Sequence, residues 1–575
     1  MTLFVQGIGV SRGIALGQVR LVAEHNLNFI EYSIAEQQLD AEIARYQDAV
    51  QRAITQLTLL RNHAAQTLEA NLRSIIDTHI LMLGDEAFLN APVGMIRSRL
   101  CNAEWALNLQ KDILIGFFDT MDDPYLRSRR DDITHVSNQI LRNLSPTETT
   151  ARSRASALKN CVVVAPEITP AEVILYHHEG ILGLISASGG PLSHAAIIAR
   201  GLNIPMIAGL NESIGLFKNH EAVVMDGHTG CIFLDADSCI QEHYKQQQKQ
   251  SKNFFTHLLR LRSLPAISRD GESIELLANI EQHEDIKLAL EHGANGVGLF
   301  RTEMLFLNRT DPPSEDEQLN VFCQALKSLQ GKPLTIRTLD LGSDKLPHLD
   351  LIDHSSSNNP ALGLRAIRLC LKNPGLFHPH LRAILRASAL GPIKIMLPMV
   401  TSLQEIVQVK SLLVQMRKEL QHKGHAVASY IPLGAMIEVP AAAINAYDFA
   451  TQVDFLSIGT NDLIQYTLAI DRTADEINYL YEPLNPAILR LIHFILRGGR
   501  KAGKPVSLCG EMAGQPEFTR LLLGLGLRQF SMHPSHLLEV KSEVAQTDIK
   551  AIRHKVYRLL TLNDSDQIAQ QLQKL

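Results

Sequence analysis

The sequence predicts an α/β multidomain chain, in which a β/α domain carries an inserted helical domain and is followed by a (β/α)8 TIM barrel. Three observations lead there. Eight short apolar runs separated by helical segments recur through the second half of the chain; a stretch free of Gly and Pro with helical periodicity runs from Gln18 to Leu83; and strand-and-glycine texture stands on both sides of that helical stretch. At 575 residues the chain exceeds what one hydrophobic core usually serves, which agrees with several domains.

Taken in order, the opening segment Phe4 to Val22 reads as strands and tight turns, and residues 1–22 are assigned with 146–235 to one α/β domain. Residues 23–145 form the inserted helical domain, where Ile43, Tyr46, Val50, Ile54, Leu57 and Leu60 recur at helical spacing until the texture changes at Ser145-Pro146-Thr147. Cys161–Val164, Gly183–Ile185 and Ala222–Met225 are the β-rich runs of the returning α/β domain. The polar stretch Asp237 to Lys252 marks a solvated linker helix within 236–265, and 266–575 is the barrel. Its eight strands are expected at Glu275–Ile280, Gly296–Arg301, Leu334–Leu339, Lys394–Val400, Gly434–Val439, Asp454–Gly459, Pro505–Cys509 and Gln529–Met532.

Composition narrows the function classes. Lys and Arg number 55 against 60 Asp and Glu, so the whole-chain charge does not advertise nucleic acid or an anionic membrane, and any phosphate binding is local. Seven scattered cysteines without CxxC spacing speak against a disulfide framework or a thiolate zinc site and fit a reducing cytoplasm. The amino terminus lacks a signal-type charged and apolar pattern, and no apolar run is long enough to span a bilayer, so a cytoplasmic protein is expected.

A barrel of this kind places its chemistry at the carboxyl ends of the strands. Asn279, Arg301, Glu303, Arg337, Asp340, Glu438, Asn461, Asp462, Cys509 and Glu511 all fall there. Any one of them could be a helix cap or a structural ion pair; the repeated placement points to a site. Two glycine-rich stretches are decoys. Gly498–Lys504 follows a helix and leads into Pro505, the reverse of a phosphate-binding loop, and Gly7–Gly13 is one residue too long for a dinucleotide fingerprint and reads as a strand turn.

The run Gly189-Gly190-Pro191-Leu192-Ser193-His194-Ala195-Ala196 is different. A glycine turn leads through Ser193 into a short helix closed by Gly201, which puts His194 at a helix amino terminus. There the helix dipole and unpaired N–H groups disfavour imidazolium and favour an anion. A neutral imidazole is thus a ready nucleophile, and its phosphoramidate would be stabilised once formed.

These residues, GGPLSHAAIIARGLNIPMIAG from Gly189, resemble the phosphohistidine segment of the phosphoenolpyruvate-utilising enzymes. Gly296–Glu303 (GVGLFRTE), Asp340–Lys345 (DLGSDK), Glu438–Ala443 (EVPAAA), Ser457–Tyr466 (SIGTNDLIQY) and Cys509–Gly514 (CGEMAG) are similar to the barrel motifs of that family. Length and motif order most resemble its enzyme I group. The resemblance implies a swivelling phosphohistidine domain, with the helical insertion docking an HPr-like phosphocarrier protein, and a barrel that binds phosphoenolpyruvate and forms a homodimer. It implies His194 as the nucleophile that becomes phosphohistidine and Cys509 as the acid that protonates the enolate. Arg301, Arg337 and Arg472 are implied as substrate-binding arginines, with Arg365 and Lys345 beside them. Glu438 and Asp462 are implied as Mg²⁺ ligands, Asp462 and Asn461 also meeting the substrate, and Thr169 as a hydrogen-bond partner of His194.

The helix around Ile75–Asp85 resembles the family's docking helix, which makes His79 and Met82 the expected phosphocarrier contacts. Leu192 and Ser343 depart from the family pattern without removing a charged group. Two other functions were weighed. A phosphoenolpyruvate synthase or pyruvate phosphate dikinase shares these motifs but needs a large ATP-binding domain, for which no segment is available. A non-catalytic regulator that binds HPr has no chemical reason to keep His194, Glu438, Asp462, Cys509 and the arginines together.

Overall fold

The computed structural model describes residues 2–22, 30–64, 70–119, 124–144, 158–190, 193–307, 309, 311–342, 361–470 and 480–575. The chain divides into two compact units, Met1–Phe254 and Phe255–Leu575.

The first unit holds an eight-stranded sheet built from β1 (Leu3–Gln6), β2 (Ile8–Ser11), β3 (Ile14–Leu21), β4 (Cys161–Ala165), β5 (Gly183–Ser186), β6 (Met206–Ala208), β7 (Ala222–Asp226) and β8 (Cys231–Leu234), in the order β1-β8-β7-β3-β4-β5-β6-β2. β3 pairs in parallel with β4 across the helical insertion, so one sheet contains both flanks of that insertion. Two strands, β6 and β8, have no counterpart among the expected runs. Each is only three or four residues long, which is too short for period-2 alternation to register. The glycine-rich turn at the amino terminus has a packing cause. A Cβ on Gly9 would stand 2.5 Å from the Gly227 carbonyl oxygen, and the two backbones approach closely only because neither residue carries one.

Between β3 and β4 the chain forms helices Leu39–Ala64, Ala70–Leu83, Glu86–Leu89, Ala91–Arg99, Ala103–Asp119 and Pro124–Leu144. Ile43, Tyr46, Val50 and Leu57 are buried at the predicted helical spacing. The Arg45 guanidinium bridges Glu42 (2.7 Å) and Glu104 (2.6 Å), tying the first long helix to Ala103–Asp119. One continuous apolar core runs from these helices to Val163, Leu184, Ala196 and Ile198 of the α/β part.

In the second unit β9 (Glu275–Ile280), β10 (Val297–Phe300), β11 (Leu334–Arg337), β12 (Ile393–Leu397), β13 (Leu433–Ile437), β14 (Phe455–Ile458), β15 (Val506–Leu508) and β16 (Gln529–Met532) close into a barrel, every neighbouring pair parallel. Each of the eight expected runs overlaps a barrel strand, and β12 and β13 begin one residue before the expected start. Some strands end earlier than expected because the chain turns at the rim. β12 stops at Leu397, before Pro398, which has no N–H for the ladder, and Met399, which has a left-handed φ of 56°.

Side chains alternate with period 2. Leu299, Met396, Met436, Phe455 and Cys509 pack together inside the barrel, while Leu456, Ile458 and Leu508 join the core shared with the surrounding helices. Glycine makes room for the largest of them, because a Cβ on Gly434 would run into the Phe455 ring. Gly434→Ala is therefore expected to overpack the barrel and destabilise this unit by about 1–3 kcal/mol, measurable as a lower thermal midpoint. An unchanged midpoint would mean that the ring swings aside freely. The second glycine-rich decoy is also structural. Gly498 and Gly499 lie inside helix Pro486–Ala502, where a Cβ on Gly498 would press the Tyr447 backbone at 2.8 Å, and Gly503 caps the helix with φ 65°.

Candidate active site at the barrel rim and the His194 helix

In the first unit the expected short helix is present as His194–Gly201, with the Ser193 hydroxyl accepting from Ala196 N at 3.3 Å. His194 is its first residue; its ring, like Pro191 and Leu192, lies outside the described part. The approach to the helix is tied down by main-chain bonds, Ala187 N to Ala165 O and Ser188 N to Pro166 O. The same loop continues to Thr169, which caps helix Pro170–His178. The Thr169 hydroxyl donates to Glu172 Oε2 (2.8 Å) and accepts from Glu172 N, and Arg142 holds the other carboxylate oxygen at 2.7 Å. Thr169 is thus engaged in a capping box.

At the carboxyl end of the barrel, strand ends place the charged groups in a ring. Arg337, the last residue of β11, is buried and paired with Glu303 (3.0 Å) and Asp340 (2.8 Å). Asp340 also binds Arg365 at 2.9 Å, and its own N–H donates to Glu303. Arg365 Nη1 donates to the Tyr466 hydroxyl, which donates in turn to the Ala361 carbonyl at 2.5 Å. Arg301 pairs with Glu281 at 2.9 Å and keeps 41 % of its side chain exposed, so it is the accessible cation of this group. Burial works against both ions of each pair, and the carboxylates reverse it for the arginines: Glu303 and Asp340 hold Arg337, and Asp340 holds Arg365, more firmly protonated than usual. The Glu303 carboxyl is pushed up by burial, while Arg337 and Arg365 keep Asp340 below its ordinary value despite burial.

Glu438 follows β13 and Asp462 lies in helix Thr460–Leu468 after β14. Glu438 Oε1 accepts from Met399 N at 2.6 Å, and Met399 itself has a left-handed φ of 56°, a conformation costing about 1–2 kcal/mol in a non-glycine residue. Glu438 Oε2 and Asp462 Oδ1 are both buried without a partner among the described residues. Burial and the neighbouring carboxylates Asp462 and Asp340 raise the Glu438 carboxyl well above its ordinary value. Two unpartnered carboxylate oxygens in a buried acidic pocket fit a hard divalent cation. Among the described residues no cluster of three or more His, Cys, Asp and Glu side chains could hold a metal alone, so the remaining coordination would fall to water and substrate, the habit of Mg²⁺. Gly459 protects this arrangement, since a Cβ there would stand 2.6 Å from Glu438 Oε2.

Cys509 follows β15, is 3 % exposed, and has its thiol pushed up to about 11, chiefly by burial. The Asn461 side chain exchanges two hydrogen bonds with Glu511, from Asn461 Nδ2 to Glu511 Oε1 and from Glu511 N to Asn461 Oδ1, both 2.9 Å. Arg301, Arg337, Glu438, Asn461, Asp462 and Cys509 are thus all at strand ends or just beyond them on one barrel rim, and Arg365, which precedes helix Ala366–Lys372, joins them through Asp340. Lys345, Ser343 and Arg472 lie outside the described residues. His79 differs from expectation. It is 6 % exposed, with Nε2 3.1 Å from Asp132 Oδ1, so it is packed inside the helical block; Met82 is half-buried, and Leu81, 74 % exposed, faces outward between them. Sequence spacing did not single out Tyr466, Met399 or Ser457 as partners of the site. The first and last sit within the SIGTNDLIQY run, and Met399 acts only through its backbone.

Comparison with known proteins agrees with this geometry. Residues 256–549 match the PEP-binding domain of the PEP-utilising enzymes, residues 6–129 their N-terminal domain and residues 157–230 their mobile domain. A phosphoenolpyruvate-protein phosphotransferase of Cupriavidus necator is 41 % identical over 100 % of both chains. Proteins of the same name from Bacillus subtilis (36 % identical, 98 % of each chain) and Priestia megaterium (37 % identical, 99 % of this chain and 98 % of that one) are similar along their whole lengths. With all three family segments in order and full-length relatives at this identity, the chain belongs to the phosphoenolpyruvate–protein phosphotransferase family of PEP-utilising enzymes.

Proposed function

We propose that this chain transfers the phosphoryl group of phosphoenolpyruvate to its own His194 and then to an HPr-like phosphocarrier protein, releasing pyruvate as the first step of a phosphotransferase system. The observation that carries the proposal is the barrel rim, where buried Arg337 and half-buried Arg365 lie within electrostatic reach of a pair of carboxylates, Glu438 and Asp462, each with one oxygen that has no partner among the described residues. Phosphoenolpyruvate brings a phosphate and a carboxylate. Arg301, Arg337 and Arg365, with Arg472 and Lys345, bind them, because planar guanidinium groups meet both anions bidentately. Glu438 and Asp462 would hold Mg²⁺, which would supply charge neutralisation for the phosphoryl oxygens.

His194 supplies the lone pair, the P–O bond to enolpyruvate breaks, and Asn461, released from Glu511, meets the phosphoryl group. Cys509 gives its proton to the enolate carbon. Its raised pKa suits the role, because the thiol still carries that proton at neutral pH. Thr169 hydrogen-bonds the His194 ring. The phosphohistidine domain is 1–22 with 146–235, the phosphocarrier domain 23–145, the linker helix 236–265, and the substrate and dimerisation domain 266–575. His194 must serve two partners in turn, so the phosphohistidine domain swivels between them. No helix among the described residues is long and apolar enough to cross a membrane, which is compatible with work in the cytoplasm.

The test is incubation with ³²P-phosphoenolpyruvate and Mg²⁺ in the absence of nucleotide, followed by addition of HPr. Acid-labile, alkali-stable label that moves to HPr is the expected result. Label that stays on the chain would remove HPr as the acceptor, and no label would leave a non-catalytic regulator.

A further inference from the structure

A TIM barrel interior is ordinarily filled by branched apolar side chains. Here two facing inward positions on adjacent strands are serines. Ser457 of β14 and Ser507 of β15 are register partners, 0 % and 8 % exposed, on the same alternation that turns Phe455 and Cys509 inward. Their hydroxyls form a directed chain. Ser507 Oγ donates to Ser457 Oγ at 3.0 Å, nearer than its other acceptor, the Leu456 carbonyl at 3.4 Å; Ser457 Oγ donates to Cys509 Sγ at 3.2 Å, and the thiol itself donates to the Ile458 carbonyl at 3.6 Å. A third strand fixes the backbone of the cysteine, because Asn279 at the end of β9 donates to the Cys509 carbonyl at 2.9 Å and accepts from Ser531 at 2.6 Å. Cys509 otherwise lies among Leu299, Met396, Met436 and Phe455, which offer a sulfur anion no hydrogen bond.

We infer that Ser457, oriented by Ser507, is the positioning residue that stabilises the Cys509 thiolate formed when the enolate is protonated. The inference rests on the proposed role of Cys509. In that step the S–H bond breaks, a C–H bond forms at C3 of enolpyruvate, and the electron pair of S–H remains on sulfur; water later returns the proton. The thiolate is short of solvation in this interior, and a fixed hydroxyl already aimed at sulfur supplies it without reorganisation. Burial alone would hold the thiol so firmly protonated that it would be a poor acid. The Ser457 hydrogen bond is the largest influence in the opposite direction.

The experiment uses the full chain, pyruvate and Mg²⁺ in D2O, and follows loss of the pyruvate methyl proton signal by NMR. This exchange runs the carbon protonation backwards and forwards without phosphoryl transfer. Cys509→Ala is expected to abolish exchange. Exchange that survives in this variant would overturn the role of Cys509 itself, independently of Ser457. Ser457→Ala is expected to slow exchange by about 10²-fold with the KM for pyruvate unchanged, and Ser507→Ala by less, since it removes only the orienting bond. Ser457→Thr, which keeps the hydroxyl while adding bulk, is expected to restore most of the rate. Wild-type exchange in Ser457→Ala, or a loss equal in Ser457→Thr, would overturn the inference. Should Ser457→Ala fail to fold, as judged by circular dichroism, the Ser507→Ala rate decides: no slowing there would overturn it.

Discussion

His194→Ala is expected to take up no label from ³²P-phosphoenolpyruvate, a loss of at least about 10³-fold relative to the wild-type chain. The reason is the absence of an equivalent nucleophile at the amino end of helix His194–Gly201, where Ser193 and the first turn hold the backbone in place. The fold should be unaffected, because Ala195, Ala196, Ile198 and Ala199 pack that helix into the core and all four remain. A chain with alanine at 194 should therefore still bind phosphoenolpyruvate and still exchange pyruvate protons. Label in this variant with wild-type acid lability would move the phosphoryl acceptor to another of the 23 histidines.

Glu438→Gln is expected to lower phosphoryl transfer at least about 10³-fold and, in the opposite sense, to make the metal-free chain more stable by about 1–3 kcal/mol. The amide keeps an oxygen for the Met399 N–H and removes one of the charges that repel one another at Glu438, Asp462 and Asp340. The pH dependence carries the same sign. Burial and those carboxylates raise the Glu438 carboxyl well above 4.5 in the folded state, so the native chain retains a proton there that the unfolded chain loses. The stabilisation from this group is full below about pH 4.5 and is lost as pH rises through the native value. Glu438→Gln should flatten that decline in a series of thermal melts. Mg²⁺ should raise the midpoint of the wild-type chain by mass action and leave that of the variant unmoved. A variant that retains both transfer and Mg²⁺ stabilisation would remove Glu438 from the metal site.

The barrel strands were legible because each is a short apolar run set off by helical segments, and because polar residues stand at or just after the ends of six of the eight runs. The short strands β6 and β8 were not, since three or four residues carry no period. The same limit applies to partners. Residue types at strand ends announced Arg337, Glu438 and Cys509. Nothing in one-dimensional spacing says that Arg337 is shared by Glu303 and Asp340 or that Asn461 is engaged by Glu511. His79 is the instructive failure. A histidine in an apolar helix has the same local pattern whether its face meets solvent or the interior, and the Asp132 that draws it inward is 53 residues away.

Local order along the chain was enough for the sequence of domains, the barrel, the helix amino terminus at His194 and the residue types of the rim, because backbone geometry and hydrophobic period are properties of neighbouring residues. Packing between distant segments settled the rest: the hydroxyl pair of Ser507 and Ser457 beside Cys509, the Met399 N–H that serves Glu438, and the two carboxylate oxygens left without a partner among the described residues. Such contacts form between groups 39 to 52 residues apart at Met399–Glu438 and Ser457–Cys509, and only closure of the barrel brings them within hydrogen-bond reach.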